Sequence, residues 1–535
     1  MNHLDERKQT LKQLESTQYD ILILGGGATG SGTALDASLR GYKVALLEKA
    51  DFSQGTSSRS TKLIHGGVRY LAQFHFKLIY EALSERKRLL INAPHLVKPL
   101  QFVLPTYVWW EKPFYSIGLT MYDLLAGKSI VPGHERISKA TALDYFASLK
   151  KQNLKGGISY YDAQFNDARL NVTTVRAAKE NGADVVSRIE VTNFLKDANG
   201  KIIGVTAKDA ITKKVVSIKA KVVANTTGVW IDSLRKLDDP KAENVLAPSQ
   251  GIHLVFDKEK LPCRTAMIIP KTADGRVVFV IPWEGKVLLG TTDTPIQKID
   301  DEPLPLQSEV EFLLKTGNEY LDTKLTKADI ESVFSGLRPL ISTGDKKDTK
   351  SISREEAILV SDSGLVTMSG GKWSTFRKMA EDLTDKLISV GNLTSKMKCF
   401  TASFAFPGAD GYSKHLVAKI QTMYDLPYET AVRLSDAYGG EVPLILGKKP
   451  KEIKKGSGYF AEEIKHFVKK EFALSLSDVM ARRWRILFLD LNLAESLAMQ
   501  TNNILAKELG WKETEKKSSL NELLKHIKDL KKTIA

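Results

Sequence analysis

The sequence predicts an α/β fold with three parts: a Rossmann-like domain, a domain built on an antiparallel sheet, and an all-helical C-terminal domain. Three patterns indicate these parts. An apolar run that ends in glycines lies near the start of the chain, alternating apolar residues fill a stretch in the middle, and helical spacing of apolar residues continues from about residue 395. At 535 residues, the chain has room for two to four structural units.

The Rossmann-like domain is predicted from residues 19–30, which read YDILILGGGATG. Tyr19–Leu24 is long enough for a buried parallel strand. A helix of small residues and a second strand ending on Glu48 follow, and the glycines at GxGxxG spacing between the first strand and the helix are Gly25, Gly27 and Gly30. In a dinucleotide site such glycines allow a tight turn, close approach to a pyrophosphate and close helix packing. The helix N-terminus binds phosphates and the acid binds ribose hydroxyls, so we expect a dinucleotide site here.

The polar stretch that comes next bears on which dinucleotide is bound. Residues 51–71 read DFSQGTSSRSTKLIHGGVRYL, whereas a plain NAD-binding unit would place an ordinary helix and strand there. An isoalloxazine ring and its ribityl chain extend beyond the pyrophosphate, and hydroxyls and glycines suit the lining of such a ligand. The glycine motif alone fits NAD and FAD equally. The polar stretch favours FAD.

Composition indicates a folded globular protein, with 42% hydrophobic and 26% charged residues. No run approaches the roughly 18 apolar residues of a membrane-spanning helix. Residues 1–18 are polar and lack the apolar core of a secretory signal. Cys263 and Cys399 lie outside any metal-ligand spacing, so no metal site is predicted. We expect a cytoplasmic protein.

The net charge of +15 and the pI of about 9.3 favour anionic partners, such as phosphorylated substrates, nucleic acid or an anionic membrane surface. Well-solvated lysines are the alternative explanation, and the lysine-rich runs at 448–456 and 525–535 fit it. No zinc-finger spacing or RNA-stacking signature is present, so no nucleic-acid partner is predicted.

The two glycine-rich stretches and several later segments resemble a known family. ILGGGATGSGTALDASLRGYKVALLEK and TSSRSTKLIHGGVRYL are similar to sequences of the FAD-dependent glycerol-3-phosphate dehydrogenases, which belong to the D-amino-acid-oxidase-like flavoproteins. The later matching segments are APHLVKPLQFVLP (93–105), YYDAQFNDARLN (160–171), VVANTTGVWID (222–232), LLGTTDTP (288–295), SGLRPL (335–340), SREEAI (353–358), GLVTMSGGKWSTFRKMAED (364–382) and EFALSLSDVMARRWRI (471–486). The resemblance covers about residues 17–510.

The resemblance implies an enzyme that oxidises sn-glycerol 3-phosphate to dihydroxyacetone phosphate by hydride transfer to FAD N5 and passes the electrons to a membrane quinone. It also implies peripheral attachment to an anionic membrane surface on the cytoplasmic face. A glycerol-3-phosphate oxidase that forms hydrogen peroxide is one alternative, although the middle of this chain looks too compact for the insertion common in family oxidases. A non-catalytic basic flavoprotein scaffold is the other. Covalent attachment of FAD and a homodimer are left open.

The site residues follow from chemistry and from the resemblance together. Oxidation of a secondary alcohol needs a base, or a cation near the developing oxyanion, and a phosphate group needs arginine or lysine. The resemblance assigns catalytic roles to His253, Arg338, Lys372 and His65; substrate binding to Arg69, Tyr70 and Arg354; and cofactor binding to Gly25, Gly27, Thr29, Gly30, Glu48, Lys49, Thr56, Ser57, Ser58, Lys62, Leu63, His65, Gly66, Gly67, Thr227, Gly228, Gly371, Lys372, Trp373, Ser374 and Thr375. His253 is the predicted base and His65 its rival. An ordinary core histidine is the alternative for His253.

The predicted domains are interleaved along the chain. They are a discontinuous cofactor domain at 17–90, 155–235 and 340–390, a substrate domain at 91–154 and 236–339, and a helical domain at 395–535. Alternating residues predict a hairpin of Val277–Pro282 and Lys286–Thr291 that turns at 283–285. Residues 307–323 are amphipathic and predict a helix on the substrate domain.

Residues 101–128 form the most aromatic stretch of the chain. Tryptophans and tyrosines near Lys98, Lys112 and Lys128 suit a membrane interface with anionic headgroups. A core helix whose aromatic residues pack on the substrate domain fits the same pattern equally well. The family resemblance favours the membrane.

Overall fold

The computed structural model describes residues 3–67, 75–127, 130–270, 272, 275–342 and 356–535. Within these ranges the protein has two large β-sheets, helices that cover them, and a helical C-terminal region. The predicted α/β fold with its helical C-terminal part is confirmed.

The strands have between two and eleven residues, and β1 and β2 in the middle of the first sheet are almost entirely buried. Their bounds are β1 (Gln18–Leu24), β2 (Val44–Leu47), β3 (Leu63–Ile64), β4 (Val97–Thr106), β5 (Glu135–Ile137), β6 (Gly156–Phe165), β7 (Asp184–Val186), β8 (Ile189–Lys196), β9 (Ile202–Asp209), β10 (Val215–Asn225), β11 (Ser249–Asp257), β12 (Ala266–Ile269), β13 (Val278–Trp283), β14 (Lys286–Gly290), β15 (Thr294–Pro295), β16 (Ile330–Arg338), β17 (Ala357–Val360) and β18 (Leu365–Ser369).

The helices alternate with the strands until residue 390 and then follow one another. Their bounds are α1 (His3–Ser16), α2 (Ala28–Leu39), α3 (Phe76–Asn92), α4 (Glu111–Ala126), α5 (Lys139–Tyr145), α6 (Asp167–Glu180), α7 (Ile231–Asp238), α8 (Gln307–Tyr320), α9 (Phe376–Val390), α10 (Leu416–Tyr424), α11 (Tyr428–Tyr438), α12 (Val442–Leu446), α13 (Ala461–Lys470), α14 (Leu491–Leu509) and α15 (Glu513–Ile534). A π-helical turn, Asp478–Arg483, lies between α13 and α14.

The first sheet, sheet A, carries the parallel strands. Its order is β17–β18–β10–β1–β2–β7, with β9 beside β10 and β8 beside β9, and β18, β10, β1, β2 and β7 run parallel. Both faces of β1 are covered: Ile21 and Ile23 pack in one core cluster with α2 and α9, and Leu22 and Leu24 pack in another with α1. This double coverage explains the continuous apolar run that predicted β1.

The second sheet, sheet B, is antiparallel apart from one pair. Its order is β15–β11–β14–β13–β12–β4–β6–β3, with β16 beside β11 and β5 beside β6, and only the pair of β4 and β12 among its described strands is parallel. The predicted hairpin is confirmed as β13 and β14. Its turn residues Glu284 and Gly285 have φ angles of 45° and 83°, as a two-residue hairpin turn requires.

The C-terminal helices share a core with sheet B. Leu254 of β11 and Val333 of β16 are fully buried in the same cluster as Phe467 of α13 and Leu523 of α15.

The predicted helix over 307–323 is present as α8. Two strands differ from the predicted domain organisation, since β3 and β6 join sheet B although their residues fall within the predicted cofactor domain. The boundaries themselves stay a prediction. Among the described helices, none has both the length and the apolar composition needed to cross a membrane.

Candidate functional site

A cavity of about 400 Å³ lies at the carboxyl edge of sheet A. Residues directly after β1, β2, β10 and β18 line it, including Gly25, Glu48, Thr227 and Gly370. These four strands are neighbours, so the cavity spans three strand spacings, or roughly 14 Å at about 4.8 Å each. Ligands of open α/β sheets bind at this edge. A cavity that extends over four strands suits an elongated ligand.

The N-terminus of α2 forms one wall of the cavity through Gly27, Ala28 and Thr29. Gly25 has a φ of 103°, and a Cβ there would lie 2.7 Å from the carbonyl oxygen of Thr226. A Cβ on Gly30 would collide with the carbonyl oxygen of Gly25, so the helix packs against the turn only because this residue is glycine. The first turn of α2 can therefore present its amides and dipole to a phosphate.

The wall beside β2 is polar and contains an aromatic ring. The Glu48 carboxylate accepts hydrogen bonds from the amides of Gly26 (2.7 Å) and Ala50 (2.8 Å) and lines the cavity. Lys49 Nζ lies 3.1 Å from the Asp301 carboxylate and 5.2 Å from the centre of the Trp230 ring. Trp230 and Asp301 were not among the predicted site residues, although Trp230 lies in the family-like segment 222–232.

The polar stretch after β2 forms a third wall through residues 53–57. Ser57 Oγ accepts the amide of Ala28 at 2.9 Å, and the Ser57 carbonyl accepts Trp373 Nε1 at 2.9 Å. Thr56 Oγ1 donates to the Leu337 carbonyl at 2.7 Å. This stretch therefore ties the start of α2, the turn after β18 and the end of β16 together around one cavity.

The turn after β18 brings the predicted segments 371–375 and 63–67 together. Gly371, Lys372 and Trp373 line the cavity. Ser374 Oγ accepts the His65 amide at 3.2 Å and lies 3.1 Å from the His65 carbonyl, to which it donates. Both hydrogen bonds involve the backbone of His65, which fixes where the chain runs at this position.

Three buried polar side chains that were not predicted hold the backbone at Gly66. The amide of Gly66 donates to the Tyr122 hydroxyl at 2.8 Å and to Asp162 at 3.4 Å. The Tyr122 hydroxyl donates to Asp162 at 2.8 Å, and Arg86 donates to Asp162 at 2.5 Å. Burial raises the pKa of Asp162, and the Arg86 guanidinium opposes that rise. These residues come from α3, α4 and β6, which are far apart in the sequence, so no motif could have indicated them.

Two predicted catalytic residues lie on one face of sheet B. In the register of β11 and β16, Arg338 pairs with Ser249 and Phe334 pairs with His253, so the side chains at these positions point to the same side. The guanidinium of Arg338 donates to Asp293 Oδ1 (3.1 Å), Ser249 Oγ (3.4 Å), Thr291 Oγ1 (3.0 Å) and the Thr292 carbonyl (2.8 Å). A Cβ on Gly251 would collide with this guanidinium, so glycine is required there. Arg338 directly precedes Pro339, which lines the cavity.

His253 is 2% exposed and stacks on Phe334, with ring centres 4.9 Å apart. Its Nε2 lies 3.1 Å from Thr61 Oγ1 in the polar stretch. Burial, reinforced by the charges of Lys62 and Arg338, holds the pKa of His253 well below its ordinary value. The imidazole is therefore neutral at physiological pH, the form that can accept a proton.

The predicted cofactor residues Lys62 and Leu63 do not line the cavity. Lys62 is fully buried, with Nζ 2.7 Å from Asp167 and 2.8 Å from the Ser58 carbonyl. Burial lowers the pKa of Lys62 to about 7, against the attraction of Asp167. The other predicted cofactor residues that do not line the cavity in the described structure are Gly30, Ser58, His65, Gly66, Gly67, Ser374 and Thr375. The predicted residues that line it are Gly25, Gly27, Thr29, Glu48, Lys49, Thr56, Ser57, Thr227, Gly228, Gly371, Lys372 and Trp373.

Three predicted substrate-binding residues, Arg69, Tyr70 and Arg354, lie outside the described residues. Their assignment stays a prediction from the sequence motifs.

Comparison with known proteins agrees with this site. Residues 20–375 match the model of the FAD dependent oxidoreductases, and residues 399–516 match the C-terminal domain of alpha-glycerophosphate oxidase. The chain belongs to the family of FAD-dependent oxidoreductases, and its cofactor is FAD.

Within that family, the chain is similar over nearly its whole length to proteins named glycerol-3-phosphate dehydrogenase. It is 39% identical over 538 residues to the probable mitochondrial enzyme of Caenorhabditis elegans, and the aligned residues cover 97% of this chain and 74% of that protein. It is 38% identical over 546 residues to the human mitochondrial enzyme, covering 97% of this chain and 75% of that protein. The crystal structure of the Bacillus halodurans enzyme complexed with FAD matches with a TM-score of 0.81 and 31% identity, over 98% of both chains. The resemblance seen in the sequence is confirmed.

The cavity itself fits FAD. The start of α2 presents amides and a dipole suited to a pyrophosphate, and a Cβ on Gly27 would lie 2.9 Å from Ser57 Oγ, inside the space between helix and loop. Glu48 at the end of β2 is placed for ribose hydroxyls, and the span of four strands leaves room beyond the pyrophosphate towards Lys372. Residues 25–29, 48–57, 226–230 and 368–373 would therefore hold the cofactor.

Proposed function

We propose that this enzyme oxidises sn-glycerol 3-phosphate to dihydroxyacetone phosphate, and that the electrons pass from FAD to a membrane quinone. Relatives similar over nearly the whole chain are named for this substrate. The observation that supports the proposal is that Lys372 lines the cavity, while Arg338, which precedes the lining residue Pro339, lies on the same face of sheet B as His253. A phosphorylated alcohol needs such cations and a base. Bound FAD supplies the hydride acceptor.

Arg338 would stabilise the oxygen of the reacting alcohol. Its guanidinium is oriented by side chains and a carbonyl from β11 and from residues 291–293, so it needs no rearrangement as negative charge develops. The side chain keeps 20% of its surface exposed, which leaves it accessible to a small substrate. Lys372 at the cavity wall would add a second positive charge.

His253 would accept the hydroxyl proton. In the free protein, Lys62 and Arg338 disfavour its protonated form. A bound phosphate brings negative charge that counteracts these cations and raises the pKa of His253, so substrate binding makes the imidazole a stronger base. Within the described ranges its Nδ1 has no hydrogen-bond partner, while Nε2 is held by Thr61.

Arg69, Tyr70 and Arg354 would bind the phosphate. Arginine forks bind phosphate oxygens in pairs, and all three residues occur in segments that match the family. This assignment is supported by the sequence motifs alone.

An exposed stripe on α4 supports attachment to a membrane surface. Trp110, Phe114, Ile117, Met121 and Leu124 recur at helical spacing and are exposed, by 66% for Ile117 and 75% for Leu124. We call these residues, with Trp109 directly before them, the α4 stripe. These exposed side chains do not pack in the core, whereas Tyr122 of the same stretch is buried there and Tyr107 and Tyr115 pack against it. Both interpretations of this stretch therefore apply, each to one face of the helix. Apolar residues presented on a helix beside aromatic rings are typical of proteins that lie on a bilayer.

Two of the three lysines that were predicted to meet anionic headgroups make contacts within the protein instead. Lys98 is paired with Asp436 of α11, and Lys112 donates to the carbonyls of Ile137 and Lys155, while Lys128 lies outside the described residues. The overall charge of +15 still favours an anionic surface. We propose peripheral attachment through the α4 stripe, on the cytoplasmic face.

The electron acceptor is tested by turnover with two readouts. Purified protein receives glycerol 3-phosphate with a quinone-analogue dye, and dye reduction and hydrogen peroxide are followed together. We expect dye reduction without stoichiometric peroxide, and no reaction with glycerol, the control that lacks the phosphate. Peroxide formation at the rate of substrate oxidation would assign an oxidase instead, and no reaction with either readout would contradict the proposed activity.

A further inference from the structure

The polar stretch after β2, residues 51–62, has two sides, and we call it the flavin loop. One side lines the cofactor cavity through residues 53–57. The other side contacts three arginines of the C-terminal region, Arg482, Arg483 and Arg485. All three arginines are at most 2% exposed. None of the described lining residues of the cavity comes from the C-terminal region.

The start of the flavin loop is held at Asp51. Arg482 donates from Nε and Arg483 from Nη1 to one carboxylate oxygen of Asp51, and Arg483 Nη2 lies 2.9 Å from the other. Arg482 also donates to Asp478 at 2.7 Å, which fixes the guanidinium on the π-helical turn. Asp51 lies four residues after the end of β2, so this contact fixes the chain soon after it leaves sheet A.

The middle of the flavin loop is held by Arg485. Its Nη2 donates to the Ser58 carbonyl at 2.6 Å and to Asp167 at 3.1 Å, and its Nη1 donates to the Ala481 carbonyl at 2.8 Å. Arg485 has a φ of 66°, which is uncommon for a residue other than glycine. Its guanidinium also lies over the rings of Trp283 and Phe488, at 5.5 Å and 4.9 Å from their centres. Such a fully enclosed cation has one defined position.

Arg485 and Lys62 act on the same two groups. Lys62 Nζ donates to the Ser58 carbonyl and to Asp167, the acceptors that Arg485 also uses. Lys62 follows Thr61, the partner of His253. Arg485 therefore holds the backbone at Ser58, the residue after Ser57, which lines the cavity. It also shares Asp167 with Lys62, which directly follows Thr61, the partner of the proposed base His253.

We propose that Arg485 is a positioning residue for FAD: through the Ser58 carbonyl and Asp167 it holds the flavin loop in the conformation that binds the cofactor. The C-terminal region is then part of the cofactor site although it does not line the cavity. Loss of this guanidinium leaves the Ser58 carbonyl with one donor instead of two and releases the loop on its buried side. FAD retention depends on the contact, because residues 53–57 form a wall of the cavity.

The test compares Arg485→Met with Arg485→Lys and a matched control. Arg433→Met removes a partly buried arginine of the C-terminal region, which pairs with Glu463 at 2.8 Å and contacts no residue of the flavin loop in the described structure. We expect FAD to dissociate about tenfold faster or more from Arg485→Met, with a changed visible circular dichroism of the bound flavin. Arg485→Lys restores part of both properties. Arg433→Met lowers the melting temperature but keeps the wild-type flavin spectrum and dissociation rate.

Dissociation within twofold of wild type and an unchanged flavin spectrum in Arg485→Met would overturn the proposal, as would equal damage in Arg433→Met. A measurement on the wild-type protein decides the matter if Arg485→Met does not fold. Hydrogen exchange is compared before and after FAD is added to the apoprotein. The proposal requires slower exchange with FAD in residues 478–488 as well as in 51–62, whereas protection of 51–62 alone would contradict it. Neither readout uses glycerol 3-phosphate, so both are independent of the proposed substrate.

Discussion

At the scale of single residues, Arg338 is a predicted catalytic cation whose guanidinium is held by at least four groups of the described residues. Arg338→Ala removes a preformed positive charge from the end of the cavity next to Pro339. We expect FAD to remain bound and the rate of flavin reduction by glycerol 3-phosphate to fall by about 10²–10³-fold. Anaerobic stopped-flow absorbance measures this rate. Arg264→Ala, which removes an exposed ion pair with Asp144, is the control and should leave the rate unchanged. Normal bleaching in Arg338→Ala would remove Arg338 from the site.

The pH dependence of kcat/KM can show which of the two histidines, His253 or His65, is the base. Because burial and two cations hold the pKa of His253 below its ordinary value, the free enzyme carries a neutral imidazole above about pH 6.5. We expect kcat/KM to be insensitive to this group from pH 6.5 upwards and to fall only in more acidic solution, where His253 is protonated.

His253→Asn should slow flavin reduction by about 10²-fold or more and abolish that acidic fall. His65→Asn should change the rate much less, because His253 and not His65 is the proposed base. If His65→Asn removed the acidic fall instead, His65 would be the base.

At the scale of elements, the π-helical turn depends on an ionised carboxylate. Burial alone would raise the pKa of Asp478, but the charges of Arg188, Arg482 and Arg483 outweigh it and hold the pKa well below the usual value. Such a group stabilises the fold above its unfolded pKa of about 3.9, and that stability is lost as the pH falls towards the folded value.

Asp478→Asn should therefore melt well below wild type at pH 7, and the difference should shrink as the pH falls below about 4. Thermal melting of the FAD-loaded proteins between pH 7 and pH 3 measures this. Asp144→Asn, at an exposed position, should match wild type throughout. A difference that stays constant with pH would show that Asp478 acts through its shape and not its charge.

The exposed α4 stripe leads to a prediction about binding to lipid vesicles. Trp109→Glu combined with Leu124→Glu places charges on the most exposed positions of the stripe, which are 80% and 75% exposed. Because each apolar side chain loses its favourable transfer from water, we expect at least about tenfold weaker co-sedimentation with vesicles that contain anionic lipid. Dye reduction in solution should persist. Leu444→Glu, on α12, alters an equally exposed apolar residue outside the stripe and serves as the control. Unchanged vesicle binding in the double variant would contradict attachment through α4.

The sequence predicted the elements whose signals are local. The run Tyr19–Leu24 with its glycines gave β1 and the start of α2, and alternation gave the hairpin of β13 and β14. Pairings between distant segments could not be predicted. The parallel pair of β4 and β12 joins strands more than 150 residues apart, since Phe102 lies beside Ala266, and local alternation carries no register between them.

The same distinction holds at the site. Residues inside motifs, such as Glu48 and Trp373, line the cavity as the motif predicted. Trp230 and Asp301 were missed because cofactor walls are assembled from segments that meet only in the folded chain. The contact of Arg485 with Ser58 joins residues 427 positions apart, and the basic run MARRWRI gave no indication that its third arginine supports a loop near the N-terminus.

At the scale of the whole molecule, three regions converge on one cofactor. Sheet A supplies the edge where the cavity lies, and sheet B supplies the predicted catalytic residues Arg338 and His253. The C-terminal region shares a core with sheet B and contacts the flavin loop through Arg482, Arg483 and Arg485. A change in any of the three regions can therefore alter the flavin. The central claim is that this shared site delivers electrons from a phosphorylated alcohol to FAD.

The absorption spectrum of the purified protein, recorded without oxygen before and after glycerol 3-phosphate is added, tests that claim most directly. We predict the spectrum of oxidised flavin at the start and its bleaching on addition of glycerol 3-phosphate, with no bleaching by glycerol. An oxidised flavin spectrum that persists after glycerol 3-phosphate is added would contradict the account.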